Sequence, residues 1–158
     1  LADRILVMER GRIAEEGAPE TIYSNPRTRI AAESIGTSNV LRVSAIDAAG
    51  NASINGSDVK LQLAQSELRN GVGSSVERTV ILRPEDIVIS PSNGGASRRE
   101  RNVLSGKIIG RFYLGAVTHY DIETAIGVLR CQSEDRTIAL KQSVEAYVAP
   151  EKLVLLEH

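Results

Sequence analysis

The sequence predicts a mainly β protein: a small barrel or sandwich preceded by one β-hairpin and two short helices. Three observations lead there. From residue 37 onward, short runs rich in Val, Ile and Leu alternate with clusters of Gly, Asn, Ser and Asp, the spacing of strands joined by tight turns. Helix-like patterning is confined to the first 36 residues. A chain of 158 residues with 42% hydrophobic and 25% charged residues has enough apolar surface for a core and the balance of a soluble globular protein.

Taken in order, Ile5-Leu6-Val7-Met8 and Ile13-Ala14 flank Glu9-Arg10-Gly11-Arg12, a hairpin turning at Gly11. Gly17-Ala18-Pro19 stops the second strand, and Pro19 opens a short helix over 20–23 with Glu20 at its positive end. Asn25-Pro26 ends that helix. A second follows over 27–35, with Ile30, Ala31, Ser34 and Ile35 on one stripe and Gly36 as its stop. Strands are expected at 40–46, 58–63, 78–82, 87–90, 104–109, 116–123, 127–132, 143–148 and 153–155, with turns at 47–52 and 55–58. The Gly-, Ser- and Arg-rich stretch 91–101 has nothing to bury and reads as a mobile connector. Across it, Asn102-Val103-Leu104 repeats Asn39-Val40-Leu41, each Asn expected to open a strand and close a turn onto nearby backbone.

Composition excludes several function classes. Lys and Arg number 19 against 20 Asp and Glu, a net charge of −1, so no electrostatic field favours nucleic acid. Four Tyr, one Phe and no Trp make base-stacking platforms hard to build, and no nucleic-acid partner is expected. A single cysteine, Cys131, permits neither an internal disulfide nor a thiolate zinc cluster, and no metal ligand set is expected. No apolar run approaches the ~18 residues of a membrane helix. The chain opens on Leu1 without Met and closes on Leu156-Glu157-His158, a triplet expected to begin a purification tag.

No catalytic constellation assembles, and none is assigned. With His158 set aside, His119 is the one candidate base, and it reads as a strand-surface histidine within Thr118-His119-Tyr120. Cys131 reads as a buried, inert thiol. No Gly-x4-Gly-Lys-Ser/Thr loop occurs, and Gly71-Val72-Gly73 lacks the rest of a dinucleotide fingerprint, so neither ATP binding nor hydrolysis is expected of this chain, and no cofactor. Arg98, Arg99 and Arg101 read as a solvated loop. Two segments ask for more. Arg83-Pro84-Glu85-Asp86 joins two apolar strands, and Pro84 forbids a ladder donor, so a turn or bulge is forced that groups Arg83 with Glu85 and Asp86. Either Arg83 forks onto Glu85 or Asp86 and fixes the turn, or the three line a polar site. Phe112-Tyr113-Leu114-Gly115 reads as a hydrophobic hairpin corner. Arg83, Glu85, Asp86 and Tyr113 are therefore the candidate ligand or partner site.

Residues 1–26, with Leu1-Ala2-Asp3-Arg4-Ile5, Val7-Met8, Gly11, Ile13, Gly17, Pro19-Glu20, Ile22-Tyr23 and Pro26, resemble the closing stretch of the nucleotide-binding domain of ATP-binding subunits of bacterial ABC importers. Leu82-Arg83-Pro84-Glu85-Asp86-Ile87, Gly106-Lys107-Ile108, Tyr113-Leu114-Gly115 and Tyr120 resemble the accessory TOBE domain of that family, a barrel related to the oligonucleotide-binding (OB) fold. The resemblance implies three parts: 1–36 as the end of the nucleotide-binding domain, 37–155 as an OB-like TOBE barrel, and 156–158 as tag. It implies a non-catalytic regulatory or dimer-supporting portion of a transport ATPase whose Walker motifs, signature and switch histidine lie outside this sequence. ATP and Mg²⁺ would belong to the full-length protein. A second copy of the subunit and membrane permease subunits would be partners, with a solute or regulatory protein meeting the barrel, and the protein would be cytoplasmic, held to the inner membrane face by the permease. Polyamine, ferric iron and phosphonate-like systems are favoured over sugar systems. The alternative is a free-standing barrel binding a small oxyanion, similar to molybdate-binding proteins with paired barrels.

Overall fold

A computed structural model describes residues 2–70, 78–91 and 102–156. The chain enters on an antiparallel hairpin, β1 (Ile5–Glu9) and β2 (Arg12–Gly17). Arg10 at φ 48° and Gly11 at φ 79° make a two-residue turn with both central residues left-handed, the twist that hairpins favour. Helix α1 (Pro19–Ser24) has Pro at its start, and α2 (Arg29–Ser34) is capped by Thr28, whose hydroxyl accepts from Ala31 N at 3.2 Å. The Glu15 carboxylate reaches across from β2 and accepts from the N–H groups of Arg27 and Thr28 at 3.0 Å each and from the Thr28 hydroxyl at 3.0 Å. Val7, Ile22 and Ala31 form a small core for this N-terminal unit, flanked by Ile5, Ile30 and Ile35.

The strands beyond it are β3 (Asn39–Ile46), β4 (Asn51–Ile54), β5 (Lys60–Gln62), β6 (Arg78–Leu82), β7 (Ile87–Pro91), β8 (Asn102–Leu114), β9 (Val117–Thr124), β10 (Gly127–Ser133), β11 (Ser143–Val148) and β12 (Leu153–Leu155). They form two antiparallel five-stranded sheets, β5-β4-β3-β6-β12 and β10-β9-β8-β11-β7. Matching the orders position by position superimposes β3 on β8, β4 on β9, β5 on β10 and β6 on β11. The last strands are exchanged: β7 follows β6 in sequence but pairs with β11, and β12 follows β11 but pairs with β6. Each exchange occurs at a 3-10 turn that begins with proline, Pro84-Glu85-Asp86 after β6 and Pro150-Glu151-Lys152 after β11. Proline supplies no ladder donor, so the strand must leave its sheet there. The protein is thus two similar halves, each completed by a strand from the other, around one shared core that includes Leu41, Val43, Leu82, Ile108, Tyr120 and Val148.

The fold class read from sequence holds: mainly β, an OB-like double half-barrel behind a hairpin and two short helices. Five details differ. The turn expected over 47–52 ends earlier, because Asp47 takes the N–H groups of Ala49 and Asn51 and closes the loop, leaving Asn51 free to begin β4. Strand β8 is longer than 104–109 and runs to Leu114, because its outer half pairs with β9 beyond a bulge at Ile108/Gly110. Asn39 and Asn102 do open equivalent strands, but neither closes a local turn. Asn39 reaches β10, donating to Arg130 O at 2.8 Å and accepting from Arg130 N at 2.7 Å. Asn102 does the same to Gln62 of β5, donating to its O at 3.0 Å and accepting from its N at 2.6 Å. Each side-chain amide stands in for a strand at the edge of the opposite sheet, where ladder groups would otherwise lack partners. Leu156, expected to lie outside the barrel, is buried with Ala32 and Ile81, and its N–H donates to Thr79 O at 2.9 Å, so the folded unit includes it. Pro91, expected to begin the connector 91–101, instead ends the edge strand β7 opposite Val144, where no ladder donor is needed on its open side. The rest of that connector, with Arg98, Arg99 and Arg101, and Gly71-Val72-Gly73 and His158 lie outside the described residues.

Candidate functional site at the Arg83 junction

Arg83 closes β6, and the extended backbone ahead of Pro84 sends its side chain away from the exchange turn and toward the N-terminal unit. The residue is 6% exposed. Its Nη1 donates to Ile35 O at 2.8 Å, to Ser38 Oγ at 2.6 Å and, at the long limit of 3.5 Å, to Thr37 O; its Nη2 donates to Tyr23 O at 2.8 Å. Tyr23 lies in the last turn of α1 and Ile35 caps α2, so both helices turn carbonyls left over at their ends onto one guanidinium. The Ser38 hydroxyl passes the bonding on, donating to Ala32 O at 3.0 Å. The guanidinium also lies over the Tyr23 ring, 4.3 Å from its centroid. Among the described residues Arg83 makes no ion pair: carbonyl dipoles, the Ser38 hydroxyl and a π face compensate its charge. The fork onto Glu85 or Asp86 expected as one reading is absent, because the 3-10 turn points those carboxylates elsewhere.

Glu85 accepts a short hydrogen bond from the Tyr23 hydroxyl, and that bond, with burial adding to it, raises the phenol above its ordinary value. Asp86 pairs with Lys152 of the second exchange turn at 2.9 Å, and the bond raises the lysine above its ordinary value. Gly36 sits at φ +77°, and a Cβ there would lie 3.0 Å from Cε2 of Tyr23 and 3.4 Å from Nη1 of Arg83. Only glycine fits between the two. Beside the junction runs a cleft of about 360 Å³, lined by Tyr23, Ser24, Glu85, Asp86, Glu151 and Lys152 among others.

The structure brings three of the four candidate residues together and separates the fourth. Tyr113 stands near the tip of the β8–β9 hairpin, 58% exposed, with the Arg111 guanidinium 5.2 Å from its ring centroid. The turn there falls at Gly115, φ +70°, so Phe112-Tyr113-Leu114 is the end of a projecting strand. His119 faces out of β9, its Nε2 3.2 Å from Gln132 Oε1. Cys131 is fully buried, and desolvation pushes its thiol up to about 12, far from the thiolate that reactivity needs. Among the described residues no three His, Cys, Asp or Glu side chains stand together to hold a metal. The residues that sequence reasoning missed are Tyr23, Ser38 and Lys152. The first two are separated from Arg83 by 60 and 45 positions. Lys152 did leave a trace, because Pro150-Glu151-Lys152-Leu153-Val154-Leu155 repeats Pro84-Glu85-Asp86-Ile87-Val88-Ile89.

Residues 80–156 match the TOBE domain family. The chain carries a TOBE domain. That domain spans β6 to β12 and so holds both exchange turns, while the rest of the chain extends the likeness further. The chain is 29% identical over 99% of its length to the Fe(3+) ions import ATP-binding protein FbpC 1 of Rhizobium meliloti (strain 1021), covering 39% of that protein. It is 39% identical over 78% of its length to the spermidine/putrescine import ATP-binding protein PotA of Frankia alni, covering 28% of it. The resemblance read from the sequence therefore holds: the chain is similar to ABC importer ATP-binding subunits. It spans about a third of the length of these relatives. In fold it is similar to the cytoplasmic molybdate-binding protein ModG, with a TM-score of 0.59 over 76% of this chain and 96% of ModG. At 16% identity that likeness concerns the paired-barrel architecture alone. No helix among the described residues is long and apolar enough to cross a membrane.

Proposed function

We propose that this chain is the C-terminal, non-catalytic regulatory and dimer-supporting part of the ATP-binding subunit of a bacterial ABC importer, serving ferric iron, a polyamine or a related small solute. The observation that carries the reading is the likeness of nearly the whole chain, hairpin and helices included, to a ferric-iron import ATP-binding protein. A barrel that stood alone would have no use for a hairpin–helix unit clamped to it. On this reading residues 1–36 close the nucleotide-binding domain and 37–155 form the accessory barrel, with Leu156 sealing its contact to α2. ATP and Mg²⁺ belong to the part of the subunit outside this chain, as do the contacts to permease subunits that hold the complex at the inner membrane face. A second copy of the subunit is the partner of the barrel. Arg83 is committed to the junction, so a solute or regulatory protein would meet Glu85 and Asp86 at the cleft, or Tyr113 at the hairpin tip.

Two measurements test this. Calorimetric titration of the chain with ATP should give no saturable isotherm at micromolar concentration, since it lacks a phosphate-cradling loop. In the intact subunit, removal of 37–156 should leave basal ATP hydrolysis in place and weaken subunit association or the response of uptake to internal solute. Saturable ATP binding by the chain, or uptake and association unchanged by the deletion, refutes the reading.

A further inference from the structure

The turn at 83–86 touches three bodies at once. Arg83 holds the C-terminal ends of α1 and α2, Glu85 holds the Tyr23 hydroxyl, and Asp86 is paired with Lys152 of the opposite half of the barrel. Pro84 at its centre is buried, and the turn is closed by Asp86 N donating to Arg83 O at 3.1 Å. With φ fixed by the proline ring and the turn hydrogen-bonded, the two ends move as one piece.

The internal repeat supplies a control. Ala149 occupies the position of Arg83 in the second half, and the Pro150-Glu151-Lys152 turn forms there with the same 3-10 geometry and the same strand exchange. An arginine is thus not needed to build this turn. Its guanidinium serves attachment of the N-terminal unit, where the apolar contact of Ala32 with Ile81 and Leu156 gives adhesion without direction. A buried charge compensated by carbonyls, one hydroxyl and a ring, with no carboxylate, tolerates little displacement, because each bond lost leaves charge without a partner. Such a contact is either made or broken.

We propose that the 83–86 turn is a coupling joint: through the Asp86–Lys152 pair, the second half of the barrel sets how firmly Arg83 holds the ends of α1 and α2, and so the seating of the hairpin–helix unit. It holds for the chain whatever solute the intact subunit serves. A change at the second exchange turn would be felt at the N-terminal unit some sixty residues away in sequence from Arg83.

Hydrogen exchange on the 158-residue chain, read by mass spectrometry, tests it. Arg83→Ala should raise exchange across 19–38 by about tenfold or more, the scale of losing hydrogen bonds to a charged group, with β8–β10 unchanged. Asp86→Asn and Lys152→Ala should each raise exchange in the same window by about two- to threefold, as befits a half-exposed ion pair. Combined with Arg83→Lys, Lys152→Ala should add less than it does alone. If neither Asp86→Asn nor Lys152→Ala changes exchange over 19–38, the coupling is overturned. A loss of protection spread equally over β8–β10 would make Arg83 a general folding residue and also overturn it. Should Arg83→Ala fail to fold, Arg83→Lys keeps the charge without the planar fork and must show the same local rise; its absence overturns the joint.

Discussion

Replacing Asn39 by alanine removes the strand surrogate that seals the edge of β10. Asn39 is 7% exposed and makes three bonds: it donates to Leu82 O at 3.2 Å and Arg130 O at 2.8 Å, and accepts from Arg130 N at 2.7 Å. At about 1 kcal/mol net for each, the loss is about 3 kcal/mol. Water reaching the half-buried Arg130 backbone would reduce this and desolvation of orphaned groups would increase it, so the expected range is about 2–4 kcal/mol. The equivalent Asn102→Ala removes two bonds, both to Gln62, and should cost about 2 kcal/mol. The discriminating substitution is Asn39→Asp. An aspartate serves a local turn as well as asparagine does, but here its carboxylate would face two carbonyl oxygens with no proton to offer them. It should be at least as harmful as alanine. Urea unfolding followed by circular dichroism reads this as a fall in the midpoint at unchanged slope. If Asn39→Asp lies within ~0.5 kcal/mol of the wild type, the scatter of ordinary surface substitutions, the surrogate-strand reasoning fails.

Gly106→Ala should destabilise by about 1–3 kcal/mol or more on the same assay, because a Cβ would lie 2.6 Å from Ile122 Cγ2 and 2.7 Å from the Glu123 carbonyl oxygen; an unchanged midpoint would show that β8 and β9 can separate there without cost. Thr118→Val should be neutral or stabilising by up to ~1 kcal/mol, since the buried hydroxyl has no hydrogen-bond partner among the described residues, and a clear loss would reveal one. Cys131 should resist thiol reagents at pH 8 until the protein unfolds. Its folded pKa of about 12 lies above the ordinary 9.0, so the unfolded state loses its proton first, and the stabilisation present below pH 9 is lost between about 9 and 12. Over that range Cys131→Val should flatten the alkaline fall in stability by about 1 kcal/mol per pH unit, and an identical pH profile contradicts the assignment.

What the sequence determined by itself is what is local. The left-handed turn at Arg10-Gly11, the start of α1 at Pro19, the stop at Gly36 and the hairpin at Gly115 each follow from backbone preferences carried by one or two residues. The β texture and the inert burial of Cys131 follow from apolar alternation and composition. Pro84 announced that a strand must leave its sheet, and the sequence motifs around it pointed to the domain family. Which sheet the strand joins was decided only in three dimensions, because β7 pairs with β11 across more than fifty residues and no local preference encodes a partner. The roles of the polar residues had the same origin. Arg83 sits beside two carboxylates in sequence yet binds the carbonyls of Tyr23 and Ile35, since the geometry of its turn and the helix ends brought to it outweigh proximity along the chain. Asn39 and Asn102 were visible as a repeat, but their work at the far sheet edges depends on where β5 and β10 fall short of a neighbouring strand, and only the folded chain creates that need.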